Sequence, residues 1–180
     1  MVRYFDKLIE LRFLPFFLLF LACPTRAHLE EAQAEAEIGA EAGLRAPEFV
    51  LKSTAGKRTR LSDLRGKVVL VDFWATWCPP CRMSIPALVK LNGRFSKKDF
   101  EIVGVSLDRD PAAVPPFIKD RRVPYRVLYA NESVAEKYLV EAIPTFFLLD
   151  REGIVRKKWA GFTPGLPDEW EKDIERLLRP

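Results

Sequence analysis

The amino-acid sequence predicts an α/β domain on three observations. The run VVLVDFWA, Val68 to Ala75, is apolar and β-branched or aromatic apart from one acid, as a strand buried on both faces of a sheet reads. It passes directly into a stretch, Cys78 to about Ser96, whose apolar positions Ile85, Leu88, Val89 and Phe95 recur at helical spacing. Strand-like and helix-like stretches then alternate to the C-terminus.

In chain order, LRAPEFVLKS followed by TAGKRTRLSDLRGK predicts a β-hairpin turning at Gly56. Val68 to Ala75 is the central strand. The helix from Cys78 contains Pro86, which removes one backbone hydrogen bond and should kink the helix rather than end it. EIVGVSLD, 101 to 108, reads as a second buried strand, PAAVPPFIKDRR as a helix start, YRVLYA as a strand and SVAEKYLV as a helix. TFFLLD and GIVRKKW form a second hairpin, turning at Gly153. PDEWEKDIERLL, opened by Pro167 and acids, closes the domain as an amphipathic helix.

With 180 residues, 48% of them hydrophobic, the chain has material for one well-buried domain, assigned to 44–180. Charged residues reach 30% and no run of eighteen apolar residues occurs, which argues against polytopic membrane and disordered classes. The first 27 residues differ. Arg3, Lys7 and Arg12 precede the apolar stretch Phe13 to Ala22, and Ala27 closes a segment laid out like a secretory signal. Cleavage after Ala27 is the expectation, with lipidation at Cys23 or retention as an N-terminal membrane anchor as alternatives. Residues 28–43 carry five Glu and no Lys or Arg, an acidic, Ala-rich tether. From residue 44 onward, 25 Lys and Arg face 18 Asp and Glu, a balance of +7. These basic residues are scattered and read as solvated surface; no aromatic-basic interleaving accompanies them, so nucleic acid is not an expected partner.

The chemistry concentrates at Cys78-Pro79-Pro80-Cys81. A helix N-terminus offers positive potential and free N–H groups to a thiolate and lowers its pKa, so Cys78 is the candidate nucleophile. Cys81, one turn deeper, is placed to attack a mixed disulfide formed by Cys78. Structural zinc wants four Cys or His ligands, whereas the chain adds only Cys23 and His28 to the pair. A purely structural clip across so short a loop would constrain the unfolded chain little. Asp72, the one acid in the central strand, is a candidate proton acceptor for Cys81, because burial raises a carboxyl pKa. Trp74 and Trp77 flank the pair.

VDFWATWCPPC, followed some distance later by IPTFFLLD, resembles the thioredoxin superfamily over Pro47 to Leu178. The export signal, the front hairpin and a long segment between Cys81 and Pro144 resemble its TlpA/ResA-like branch of extracytoplasmic thiol-disulfide oxidoreductases. The resemblance implies a thioredoxin fold: a central mixed β-sheet flanked by helices, with an N-terminal hairpin and an insertion between the Cys-x-x-Cys helix and a cis-proline loop. It implies a cis peptide between Ile143 and Pro144, a client strand held by Ile143 and Pro144 with Trp77 at the rim, and no cofactor. It further implies disulfide-containing exported clients such as apocytochrome c or copper-delivery proteins, a membrane thiol carrier as electron donor, and a site outside the cytoplasm. Many members of that branch carry Glu three residues after the second cysteine; here Ser84 stands there, which leaves Asp72 as the candidate acid. Pro79 and Pro80 lack N–H groups that could stabilise the Cys78 thiolate, which leans the pair toward a reductant or an exchanger of intermediate potential. The rival functions are a peroxiredoxin-like peroxidase, disfavoured because Ala75 stands where that pattern has Thr, and a Cu(I)- or partner-binding module using the two thiolates.

Overall fold

The computed structural model describes residues 37–179. The expected signal segment, Cys23, His28 and most of the acidic tether lie outside the described residues. Within them the strands are β1 (Val50–Ser53), β2 (Arg58–Arg60), β3 (Val68–Trp74), β4 (Phe100–Ser106), β5 (Arg126–Tyr129), β6 (Thr145–Leu149) and β7 (Val155–Ala160). The helices are α1 (Pro79–Arg94), α2 (Val114–Asp120), α3 (Glu132–Lys137) and α4 (Leu166–Leu178).

All seven strands join one mixed sheet in the order β2-β1-β5-β4-β3-β6-β7. The pairs β3–β4 and β4–β5 are parallel, and the others are antiparallel. Parallel neighbours need long crossovers, and α1 and α2 lie in those connections. The front hairpin is present, but its first strand is VLKS, and β1 also pairs with β5, so the hairpin extends the main sheet. The turns carry Gly56 and Gly153 at φ 82° and 74°, backbone that disfavours a side chain. α1 runs unbroken through Pro86, whose ring lies on the exposed side.

Every residue of β3 is buried, so its alternating side chains feed two cores. On one face Val69, Val71 and Phe73 meet Val103, Val105, Phe147 and Tyr138. Tyr138 lies 5.1 Å from the rings of both Phe73 and Phe147, and its hydroxyl donates to the Pro47 carbonyl at 2.8 Å. On the other face Val68 and Leu70 meet Leu88 and Leu91 of α1 and Trp170 and Ile174 of α4. At the end of β3 that face passes into a third cluster holding Trp74, Cys78, Cys81 and Ile85. The folded unit also takes in residues 37–43, assigned above to the tether: Ala40 is buried in the first core, and Arg45 bridges both Ile38 and Ile154.

Candidate active site

The site is built where β3 stops. Leu107 N–H donates to the Trp74 carbonyl at 2.8 Å and Cys78 N–H to that of Ala75 at 3.2 Å, which turns the chain out of the sheet and into α1. Asp108, just past β4, fastens this turn by accepting from Thr76 N–H at 3.0 Å and from the Thr76 hydroxyl at 2.5 Å. The oxygen that takes the Thr76 N–H also accepts from the Ser106 hydroxyl at 2.8 Å. In the sequence the only local signal of Asp108 is an acid at the end of an apolar run.

Cys78 is the N-cap of α1, in extended conformation, and Pro79 and Pro80 fill the first two helical positions, where a missing N–H costs nothing. The first available backbone donor is therefore Cys81 N–H, which points at Cys78 Sγ over 3.3 Å. Cys78 and Cys81 form a disulfide with Cα atoms 5.3 Å apart. Cys81 is fully buried, and Cys78 is only 3% exposed. Charge placed on Cys78 Sγ would thus face the helix N-terminus in a nearly dry pocket.

The Ile143–Pro144 peptide is cis and brings the Ile143 carbonyl oxygen to 3.6 Å from Cys78 Sγ. The loop is fixed from both sides, the Pro144 carbonyl accepting from Gly161 N–H at 2.7 Å and the Ala142 carbonyl from the Thr145 hydroxyl at 2.6 Å. Trp77 stands at the rim, 65% exposed, beside a groove of about 480 Å³ lined by Leu107, Arg109 and Ala113 among others. Met83, on the second turn of α1, is likewise exposed.

Asp72 alternates with Leu70 and Trp74 on one face of β3, Leu70 clustering with Leu88 of α1 and Trp74 with Cys81 and Ile85. It is 1% exposed, and its Oδ1 finds no protein hydrogen-bond partner. Burial pushes its carboxyl up to about 8. Ser84 is buried in α1, and its hydroxyl donates to the Cys81 carbonyl at 2.8 Å, so it is occupied by the helix itself. Among the described residues no three His, Cys, Asp or Glu side chains gather as a metal site. The structure therefore places Cys78, Cys81, Ile143 and Pro144 together, sets Asp72 behind them and leaves Trp77 at the edge.

Comparison with known proteins agrees with this geometry. Residues 42–158 match the AhpC/TSA family. The chain is 37% identical over 164 residues to the thiol-disulfide oxidoreductase ResA of Bacillus subtilis, covering 91% of this chain and 90% of that protein. It is 32% identical over 161 residues to the thioredoxin-like protein YneN of the same organism, covering 88% and 94%. Among solved structures, a candidate thiol:disulfide interchange protein DsbE from Chlorobium tepidum superposes with a TM-score of 0.73 at 34% identity, over 77% of this chain and 99% of that one. A buried cysteine pair opening a helix at the end of the central strand, on a thioredoxin fold, and these matches lead to one conclusion: the chain belongs to the AhpC/TSA family and, within it, to the thioredoxin-like thiol-disulfide oxidoreductases of the ResA kind.

Proposed function

We propose that the protein reduces disulfides of exported proteins outside the cytoplasm, with Cys78 as attacking sulfur, Cys81 as resolving sulfur and Asp72 as the proton acceptor. The observation that carries this reading is the position of Cys78 Sγ, which faces the α1 N-terminus on one side and the Ile143 carbonyl on the other. In the dithiol form the Cys78 thiolate attacks one sulfur of a client disulfide. A Cys78–client bond forms, the client S–S bond breaks, and the departing client thiolate takes a proton from water. The Cys81 thiol passes its proton to the Asp72 carboxylate. The Cys81 thiolate then attacks Cys78 Sγ, the internal disulfide forms, and the second client thiolate leaves. Two electrons have moved to the client, and a membrane thiol carrier supplies two more to the Cys78–Cys81 disulfide, its own dithiol becoming a disulfide.

Ile143 holds the client as an added strand through backbone groups, on the loop that the cis Pro144 fixes, and Trp77 shields the exchanging sulfurs from water. Burial keeps Asp72 from being a carboxylate at low pH; its midpoint near 8 places the acceptor form in the alkaline half of the range. Residues 1–27 carry the domain out of the cytoplasm as a cleaved signal or a retained anchor. Clients of the apocytochrome c or copper-delivery type are the proposed substrates, on the strength of the ResA resemblance.

The test is a Cys81→Ala variant expressed as the full chain, which must stall as a mixed disulfide on Cys78. Recovery of exported cysteine pairs bound to Cys78, absent from a Cys78→Ser, Cys81→Ala control, supports the assignment. Trapping of cytoplasmic proteins alone, or undiminished disulfide reduction by Cys78→Ser, overturns it.

A further inference from the structure

Behind the disulfide, two buried polar atoms without a protein partner lie on one face of the sheet, one of them over a residue that has no side chain. Gly104 on β4 stands opposite Asp72 in the parallel register with β3. A methyl group at Gly104 would lie 3.0 Å from Trp74 Nε1 and 3.4 Å from Cε2 of Tyr125. The Trp74 indole N–H and the edge of Tyr125 therefore both overhang Gly104. Asp72 and Trp74, two residues apart on one strand, point to the same side of the sheet as that overhang. The ring of Phe117 on α2, 5.5 Å from Trp74, holds the indole there.

Trp74 Nε1 can only donate and Asp72 Oδ1 can accept. Both are closed off from solvent, and neither has a protein partner. Buried polar atoms in native proteins are almost always paired, and where two such atoms flank a small space, an internal water accepts from one and donates to the other. Trp170 Nε1 is also buried without a protein partner, packed against the rings of Phe146 and Phe162.

We propose that Trp74 is a positioning residue for Asp72: its indole N–H and the Asp72 carboxyl share one buried water over Gly104, roofed by Tyr125. The water presents a donor to the carboxylate, so Trp74 favours the ionised form and offsets part of what burial imposes. Of the titratable groups, Tyr125, from the connection into β5, couples to Asp72, and Cys81, from α1, lies in the adjoining cluster with Trp74. β4 offers Gly104 and β6 offers Phe146, neither of them charged. Burial and the nearby Asp72 charge push the Tyr125 hydroxyl well up, so Tyr125 stays neutral across the working range. The disulfide does not titrate, which leaves Asp72 as the single ionising group of the chamber in the oxidised protein.

The consequence for turnover rests on Asp72 being the proton acceptor, whereas the water bridge does not, and the experiment separates the two. The oxidised full chain, labelled with ¹⁵N and ¹³C, is titrated while the four indole N–H signals and the Asp72 carboxyl carbon are followed by NMR. The expected result is that the Trp74 indole signal moves with the midpoint of the Asp72 carbon, the Trp170 signal stays still, and Asp72→Asn abolishes the Trp74 movement. Trp74→Phe should raise the Asp72 midpoint by about one unit, a tenfold change in proton affinity. Gly104→Ala, which crowds the indole out, should shift it in the same direction. An immobile Trp74 signal while Asp72 titrates, or an unchanged midpoint in a folded Trp74→Phe protein, overturns the proposal. If the Trp74 signal follows Asp72 but the rate at which Cys81 resolves a mixed disulfide ignores that midpoint, the bridge stands and the reading of Asp72 as acceptor falls.

Discussion

Asp72 is an acid that the folded chain holds protonated far above the ordinary aspartate value of 3.8. Between that value and about 8 the native state binds a proton that the unfolded chain has released, so stability falls as pH rises through this window. The contribution is complete below about pH 4 and gone above about pH 8. Asp72→Asn, uncharged and of similar shape, is expected to flatten this dependence. In urea titrations its advantage over the native chain should grow by roughly 1.4 kcal/mol per pH unit toward pH 8. If the acid serves Cys81, the same variant slows resolution of the mixed disulfide most above pH 8, where the native chain has its carboxylate. Asp108 acts through geometry: Asp108→Ala frees the Thr76 N–H and hydroxyl, and is expected to cost about 1–3 kcal/mol and to loosen the turn that presents Cys78. Chemical denaturation and the rate of Cys78 alkylation in the reduced protein measure the two effects.

At the scale of the element, α1 does two jobs with two faces. Its inner face, Cys81, Ser84, Ile85, Leu88 and Leu91, lies against the sheet, while Met83 and Pro86 face outward. Leu88→Ala should therefore cost about 2–5 kcal/mol. Met83→Ala should leave stability within about 0.5 kcal/mol, and thermal unfolding of the pair tests the assignment. This division was legible in the sequence, because period-3.6 spacing from Ile85 to Phe95 follows a continuous apolar strand. That the helix opens at the cysteines was legible too, because helical spacing follows directly on the apolar strand; the place of Cys78 as N-cap, one residue before the helix, shows only in the structure. The pairing of β1 with β5 was not. Strands separated by some seventy residues leave no local pattern of their partnership, and the hairpin could have stood apart from the sheet. Nor could the convergence of Trp74 on Gly104 be read, because it depends on the parallel register of two strands and on a single missing Cβ.

Across the whole molecule, β3 and β4 are buried on both sides and bonded on both edges, whereas β2 and β7 end the sheet. Native-state hydrogen exchange should accordingly be slowest for amides of β3 and β4, which open only with global unfolding, and faster by several orders of magnitude in β2. The site hangs from the rigid end of this gradient: Cys78 follows β3 by four residues, and Asp108 ties the turn to β4. What that rigidity encloses is a sulfur with almost no outward face. A blunt globular surface cannot touch it by collision. A slack, ribbon-like stretch of partner chain would reach it more readily, whereas a disulfide already sealed inside a finished fold has no such stretch to offer. So shallow an opening would favour chains caught before their own folding is finished over the same bond in a completed protein.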